Sequence, residues 1–380
     1  MLRSLTLLAH GLIFASAWAS GLQFLAVIWL CVGAPLALSR LGLLFADRPR
    51  SRGLVFALEL LFSHLLGALL SLPLLPVAAL LSWALGSQAA PALAAAPLLA
   101  YGLGLGLAAY GVFIRRRWVL LREVEVPCPE LPTALDGLRV AHLSDLHIGS
   151  YDGRARGLQW VRRTLETKPD LIAVTGDLVT SGTQFYAAAA EVLGELSAPH
   201  GVHVILGNHD QWDRELFRSE LEARGVSLLD NSWTALNVAR GGAATELIVA
   251  GLGDPYTQRA DLAATLAQRP AAFTLLLAHY PSWASQAAGR NVGLVLSGHT
   301  HGGQVGVPWL SDRLNVASLL KHHSRGLFLY GDTWLHVTAG LGTSGPPIRL
   351  GVPPEIALLT LRRSAAPLGP SRAAATAEAT

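Results

Sequence analysis

Five short stretches of this 380-residue chain carry side chains that can hold a cation: "SDLH" with Asp145 and His147, "TGD" with Asp177, "GNHD" with Asn208, His209 and Asp210, "AHYP" with His279, and "SGHTHGGQV" with His299 and His301. Residues at i and i+2 leaving a strand can point their side chains the same way, so Asp145 and His147 can grip one ion. His299 and His301 share that spacing. Carboxylate, imidazole and an amide oxygen, with no thiolate, suit Mn²⁺, Fe or Zn²⁺ better than a soft metal. Asp145, His147, Asp177, Asn208, His279, His299 and His301 make seven candidate ligands, more than the roughly four that a single catalytic zinc takes. Two divalent ions about 3.5 to 4 Å apart, bridged by one carboxylate, would use them all. Such a pair acidifies a water, orients a phosphate and neutralises charge on its oxygens, which is the chemistry of phosphoester hydrolysis. Gly298, Gly302 and Gly303 fit turns that need unusual backbone angles and leave room for a substrate.

Each cluster ends a short apolar run: "LRVAHL", "LIAVT", "GVHVIL", "TLLL" and "VGLVLS". Runs of this length and composition predict buried strands. The segments "GRARGLQWVRRTLETKPD" and "QFYAAAAEVLGELS" between them predict helices, hence α/β layering. Strands that all finish in polar ligand types would bring those residues to one sheet edge, where loops tolerate side chains that a core does not. His142, His200, His203, His322 and His323 stand apart from this pattern and read as packed or capped histidines.

The blocks "SDLH", "GD", "GNHD", "AHYP" and "GHTHGGQ" resemble, in residue type, order and spacing, the signature of the calcineurin-like metallophosphoesterases, over about residues 138–362. The later stretch "GLFLYGDTWLHVTAGLGTSGPPIRLGVPPEIALLTLR" resembles the bacterial membrane-associated branch. The resemblance implies an α/β fold, a two-sheet β-sandwich flanked by helices with a dimetal centre at one edge. It implies that Asp145, His147 and His301 hold one metal, that Asp177 bridges, and that Asn208, His279 and His299 hold the other. It makes His209 the group that contacts the phosphate or protonates the leaving oxygen, oriented by Asp210, with Asn208 and Gly302 also facing substrate. Many relatives carry a further acid just after "GD", where this chain has Thr180.

Hydrophobic residues make up 51% of the chain, and the mean hydropathy is +0.40. The excess lies in residues 1–117, expected to be an all-α transmembrane region of about four helices, with apolar stretches at 5–38, 54–85 and 92–114. A signal peptide at the extreme N-terminus is the alternative for its first segment. Basic clusters at Arg40, Arg48, Arg50 and Arg52 and at Arg115, Arg116, Arg117 and Arg122 predict cytoplasmic loops, which places the following domain in the cytoplasm of a multi-pass inner-membrane protein. Glu59 and His64 fit a packed polar pair or an interfacial feature, too few ionisable groups for a transport path.

Residues 118–137, with three prolines in "LREVEVPCPELPTALD", read as a linker, 138–362 as the phosphoesterase domain and 363–380 as a disordered tail. Cys31 and Cys128 give no disulfide framework, and a net charge of +3 gives no nucleic-acid footprint. The expected partners are the lipid bilayer and a phosphoester, with a lipid-linked one the natural candidate, because a tethered enzyme meets membrane-surface substrates at high effective concentration. Residues 308–325, which mix Trp309 and leucines with Lys321 and Arg325, predict either a lid for an acyl chain and a phosphate or a plain surface insertion. A broad phosphodiesterase or nuclease, and a scaffold with a degenerate phosphatase domain, are the rival readings.

Overall fold

A computed structural model describes residues 50–74, 90–311, 313–318 and 323–364, with the single positions 11, 77 and 80. The described chain falls into two compact units: Arg50–Arg117 with Gly345–Leu350, and Trp118–Ser344 with the chain from Gly351. The spans expected within 5–38, the total of four, and the tail beyond 364 lie outside the described residues.

In the first unit α1 (Arg52–Ser71) begins where Ser51 Oγ accepts the Leu54 N–H at 3.3 Å, a side-chain cap on an otherwise orphaned donor. The second helix, α2 (Ala90–Ala109), runs on through a π-helical turn, Tyr110–Ile114, into a 3-10 turn, Arg115–Arg117. These helices meet at small residues: a Cβ on Gly104 would lie 2.3 Å from Gly67 O, so only glycine admits this approach. Arg52–Ser71 and Leu98–Arg117 are each long and apolar enough to cross a membrane. Glu59 and His64 do not pair with each other. The Glu59 carboxylate binds Arg116 and, at 3.1 Å, Arg117, while His64 Nδ1 lies 2.8 Å from the Tyr101 hydroxyl.

The second unit is two six-stranded sheets. One contains β1 (Leu120–Pro127), β2 (Arg139–Leu143), β3 (Leu171–Thr175), β4 (Val202–Ile205), β5 (Ser227–Leu228) and β12 (Glu355–Arg362), in the order β1-β12-β2-β3-β4-β5. The other contains β6 (Ser232–Arg240), β7 (Ala243–Gly251), β8 (Phe273–Leu277), β9 (Leu294–Ser297), β10 (Gly326–Tyr330) and β11 (Thr333–Val337), in the order β10-β11-β9-β8-β7-β6. Pairing is parallel from β2 through β5 and from β7 through β8 and β9 to β11, so these strands end together at one edge of their sheets.

Alternate residues on a strand face opposite ways, and the buried clusters follow that rule. Val140, Leu171, Ala173 and Ile205 meet Leu247, Val249, Leu275, Leu277 and Leu296 in the core between the sheets. Their chain neighbours Ala141, Ile172, Val174 and Val204 face α3 (Arg154–Glu166), α4 (Tyr186–Gly194) and α5 (Arg214–Glu222), which bring Trp160, Val161, Leu193, Phe217 and Leu221. On the other sheet α6 (Leu262–Leu266) and α7 (Trp283–Ala287) cover Ala250, Leu276, Val295, Leu335 and Val337. Parallel strands covered on both faces explain the continuous apolar runs of the sequence.

The segment 118–137 is not a linker. Its "LLREVEVP" is β1, an edge strand parallel to β12 with Val126 opposite Leu361, and Val126, Cys128, Leu131 and Leu135 are buried in the intersheet core. The three prolines stand at the strand's last residue and beyond it, where a ladder N–H is not needed. Val126→Ala should therefore destabilise the chain by about 2 kcal/mol through lost burial and a residual cavity. Chemical denaturation of the detergent-solubilised protein checks this, and an unchanged midpoint would restore the linker reading.

Candidate metal centre

All five expected strands carry their polar cluster just past their C-terminal ends: Asp145 and His147 after β2, Asp177 after β3, Asn208 to Asp210 after β4, His279 after β8, and His299 and His301 after β9. Their ligand atoms form two groups. Asp145, His147, Asp177 and His301 make one and Asp177, His279 and His299 the other, with all atoms in each group within 4.8 Å of one another. Asp177 belongs to both, and the two histidines of "GHTHGG" part, one to each group.

Backbone geometry differs from simple strand alternation. Asp145, His147, Asp177, His299 and His301 have φ of 51°, 45°, 52°, 66° and 52°, in the left-handed region that non-glycine residues seldom enter. Each costs about 1 kcal/mol or more and persists only because its surroundings over-determine it. Side chains from residues i and i+2 converge here because the backbone leaves the strand, not because it continues one. Close backbone approach completes the fit: a Cβ on Gly298 would lie 2.2 Å from Asp145 Oδ2, and one on Gly207 2.3 Å from Asp177 Oδ1.

Hydrogen bonds fix which atoms face inward. His279 Nδ1 lies 2.7 Å from Thr175 O, and since a carbonyl only accepts, Nδ1 carries the hydrogen. That leaves His279 Nε2 buried and facing Asp177 Oδ2 at 3.3 Å. His147 Nε2 and His301 Nε2 are 3.1 Å apart, His301 Nε2 is 3.2 Å from Asp145 Oδ1, and His147 Nε2 is 3.6 Å from Asp177 Oδ2. Acceptor atoms that close need protons or a cation between them. Two ligands on one divalent ion at bond lengths of about 2.1 Å stand about 3 to 3.5 Å apart, so the spacing fits a metal. Asp177 Oδ1 accepts the His209 N–H at 2.9 Å, and both Asp145 oxygens accept the His299 N–H at 3.1 Å, which orients the carboxylates.

Asn208 Oδ1 accepts the hydroxyl of Tyr280 at 3.1 Å, and the Tyr280 ring lies 4.0 Å from the His299 ring. Tyr280 carries no signal of its own in the sequence beyond directly following His279 in "AHYP". His209 donates Nδ1–H to Thr180 O at 2.5 Å, and its ring meets the His147 ring edge-on at 4.8 Å. Thr180, the departure from the expected acid, also donates its hydroxyl to His147 O at 2.9 Å, so it ties two site loops together.

One expectation is corrected. Asp210 does not orient the His209 ring: its Oδ1 accepts the N–H groups of Leu178 at 2.8 Å and Val179 at 3.1 Å, and its Oδ2 accepts that of Gly207. It is fully buried and holds the loops that carry Asp177 and Asn208. Gly302 has φ +57°, and a Cβ there would lie 2.8 Å from Val352 Cγ1, so a turn and a packing constraint both call for glycine at this position. His142 and His203 are buried, His142 between His336 Nδ1 and Thr175 Oγ1 at 2.9 Å each, as packed histidines should be.

Burial pushes the Asp145 carboxyl up to about 6 and, with Asp177 nearby, that of Asp210 up to about 7. Burial also opposes charge on Asp177 and His279, but their mutual attraction wins: Asp177 is held well below the usual carboxylate range and His279 is raised to about 10. A cation must therefore displace the His279 proton at neutral pH, and the Asp145 proton as well below about 6. Cation affinity should fall as pH drops, more steeply below 6, with more protons released per ion bound. Calorimetric Mn²⁺ titrations at two pH values, each in buffers of different ionisation enthalpy, read both quantities, and a pH-independent affinity would contradict this site.

The family profile described as calcineurin-like phosphoesterase matches residues 138–303, the stretch from β2 through the last candidate ligand. An uncharacterized metallophosphoesterase of Bacillus subtilis, YkuE, is 32% identical over 277 residues, covering 71% of this chain and 94% of that protein. A protein of Danio rerio named "transmembrane protein with metallophosphoesterase domain" is 32% identical over 275 residues, 68% of this chain and 61% of that one. Its namesake in Bos taurus is 32% identical over 288 residues, 71% and 63%. This chain thus spans less than two thirds of the two vertebrate relatives and nearly all of the bacterial one. With its strand-end carboxylates and histidines gathered into two groups around Asp177, the chain belongs to the calcineurin-like metallophosphoesterases.

Proposed function

We propose that this protein is a membrane-anchored hydrolase of a phosphodiester or pyrophosphate, lipid-linked, working with two divalent cations of the Mn, Fe or Zn class. The observation that carries the reading is the sharing of Asp177 between two ligand groups, which suits one carboxylate between two ions. Asp145, His147 and His301 would hold one ion, Asn208, His279 and His299 the other. When bound, the ions supply Lewis acidity toward a phosphoryl group and acidify water.

The chain's own groups do the rest. Asn208 keeps its amide NH₂ for a phosphoryl oxygen while its Oδ1 is steadied by Tyr280. His209, with Nδ1–H committed to Thr180 O, presents Nε2 as the position that carries a proton to the leaving oxygen. Its own N–H holds Asp177 in place. Asp210 keeps the two loops in register without touching the reacting atoms. Anchoring is supported by the two apolar helices and by the transmembrane naming of relatives. A cytoplasmic face for the domain is supported by Arg115, Arg116 and Arg117 at the end of the second helix.

Hydrolysis of bis-p-nitrophenyl phosphate by the purified chain should depend on added Mn²⁺. Asp177→Asn should lose both turnover and cation binding, whereas His209→Gln should keep the cations and lose roughly a hundredfold in kcat. Turnover in Asp177→Asn equal to that of the parent would sink the dimetal reading. Mn²⁺ binding without turnover on any ester would favour a scaffold.

A further inference from the structure

Among the described residues between the loop bearing His301 and strand β10, polarity is reversed. Ser311, Asn315 and Ser324 are buried and bond to one another: Asn315 Nδ2 donates to Ser311 O and to Ser324 Oγ, each at 2.7 Å, and Asn315 Oδ1 accepts the Ser318 N–H at 2.7 Å. The backbone closes through Val307 N–H to Leu314 O at 2.8 Å and Val316 N–H to Val305 O at 2.9 Å. Around this polar hub Trp309 is 99% exposed, and Val307, Leu310, Leu314 and Val316 are between 48% and 50% exposed. Trp309 sits at φ +62°, unfavourable for a bulky residue.

A water-facing loop does the opposite, turning polar groups out and apolar groups in. Five exposed large apolar side chains within ten positions, on a loop held by its own hydrogen bonds, mark contact with another phase or partner. The segment is also packed on the turn that carries His301: a Cβ on Gly303 would lie 2.5 Å from Ala317 N. Arg325, expected to hold a phosphate there, lies 3.7 Å from the buried carboxylate of Glu355.

We infer that Val307, Trp309, Leu310, Leu314 and Val316 insert into the interfacial layer of a lipid bilayer and thereby keep the phosphoesterase site at the membrane surface. The inference rests on the membrane anchoring proposed above. Three observations select a bilayer over other occupants. Tryptophan, the most exposed side chain of the patch, is the residue type enriched at headgroup level. The second apolar helix ends at Arg117, and Trp118 opens the phosphoesterase unit, so covalent continuity keeps that unit at any membrane the helix crosses. Asp312 and Arg313 cancel within the segment, which leaves apolar contact rather than charge as the source of affinity.

The test uses the full chain in lipid nanodiscs containing doxyl-labelled lipids, quenched either near the headgroup or deep in the acyl chain. The fluorescence lost on Trp309→Ser, an exposed position whose change leaves the core intact, should be blue-shifted, quenched more by the shallow label than the deep one, and unchanged by high salt. The fluorescence lost on Trp118→Phe reports the anchor separately. If the Trp118 component is quenched by lipid and the Trp309 component only by aqueous iodide, the insertion is wrong and the anchoring stands. If neither is quenched by lipid, both fall. If Trp309 is shielded from lipid label and iodide alike, and Trp309→Ser abolishes self-association, a second copy covers the patch and the bilayer assignment is overturned.

Discussion

A carboxylate buried to 2% exposure with both oxygens committed is the constraint around which the phosphoesterase unit is organised. Asp177 Oδ1 takes the His209 N–H, and Oδ2 faces His279 Nε2 and His147 Nε2. Removing such a group from water is costly unless it is hydrogen-bonded and its charge is met. Meeting it requires three strand-end loops, after β2, β4 and β8, to close on a fourth, after β3. Asp210 fastens the loops after β3 and β4 by accepting N–H groups from both. Gly207 lets those backbones touch, because a Cβ there would lie 2.5 Å from Asp177 N.

The sheets carry the strain this arrangement stores. Five candidate ligands hold positive φ, at a combined cost of several kcal/mol by the usual scale of such conformations. The parallel strands just before them are fully buried, from Ala141 to Leu143, Leu171 to Thr175, and Leu294 to Ser297. Rigid strands feeding strained loops make a preorganised cage: ligand atoms stay 3.1 to 3.6 Å apart instead of relaxing to make ordinary hydrogen bonds.

What the sequence made legible follows from this division. The apolar runs and the polar residues that end them announce both strands and ligands, since a parallel strand has one composition and its terminus another. Residues whose roles depend on contacts distant in sequence stayed hidden. β1 looks like a linker because half its residues face outward and prolines follow it, and only its pairing with β12, more than two hundred positions later, shows it to be core. Asp210 lies inside a site motif and so reads as a site residue, whereas its partners Leu178 and Val179 reveal a framework role. Glu59 and His64, close in sequence, find partners at Arg116 and Tyr101.

Charge pairing separates framework acids from site acids. Glu59, buried in the first unit, is met by Arg116 and Arg117. Glu355, buried in the second, has Arg122 at 3.8 Å and Arg325 at 3.7 Å, and its Oε1 accepts the Ala339 N–H at 2.9 Å. Each of these acids has permanent cations beside it and needs nothing from outside. Asp145 and Asp177 are equally buried, yet among the described residues their ion-pair partners are histidines alone. Imidazole can give up its proton and turn a lone pair inward, which guanidinium cannot. A buried acid ringed by arginine is a finished ion pair, while one ringed by histidine can exchange protons for a metal, and among the described residues only the edge where β2, β3, β8 and β9 end has that composition.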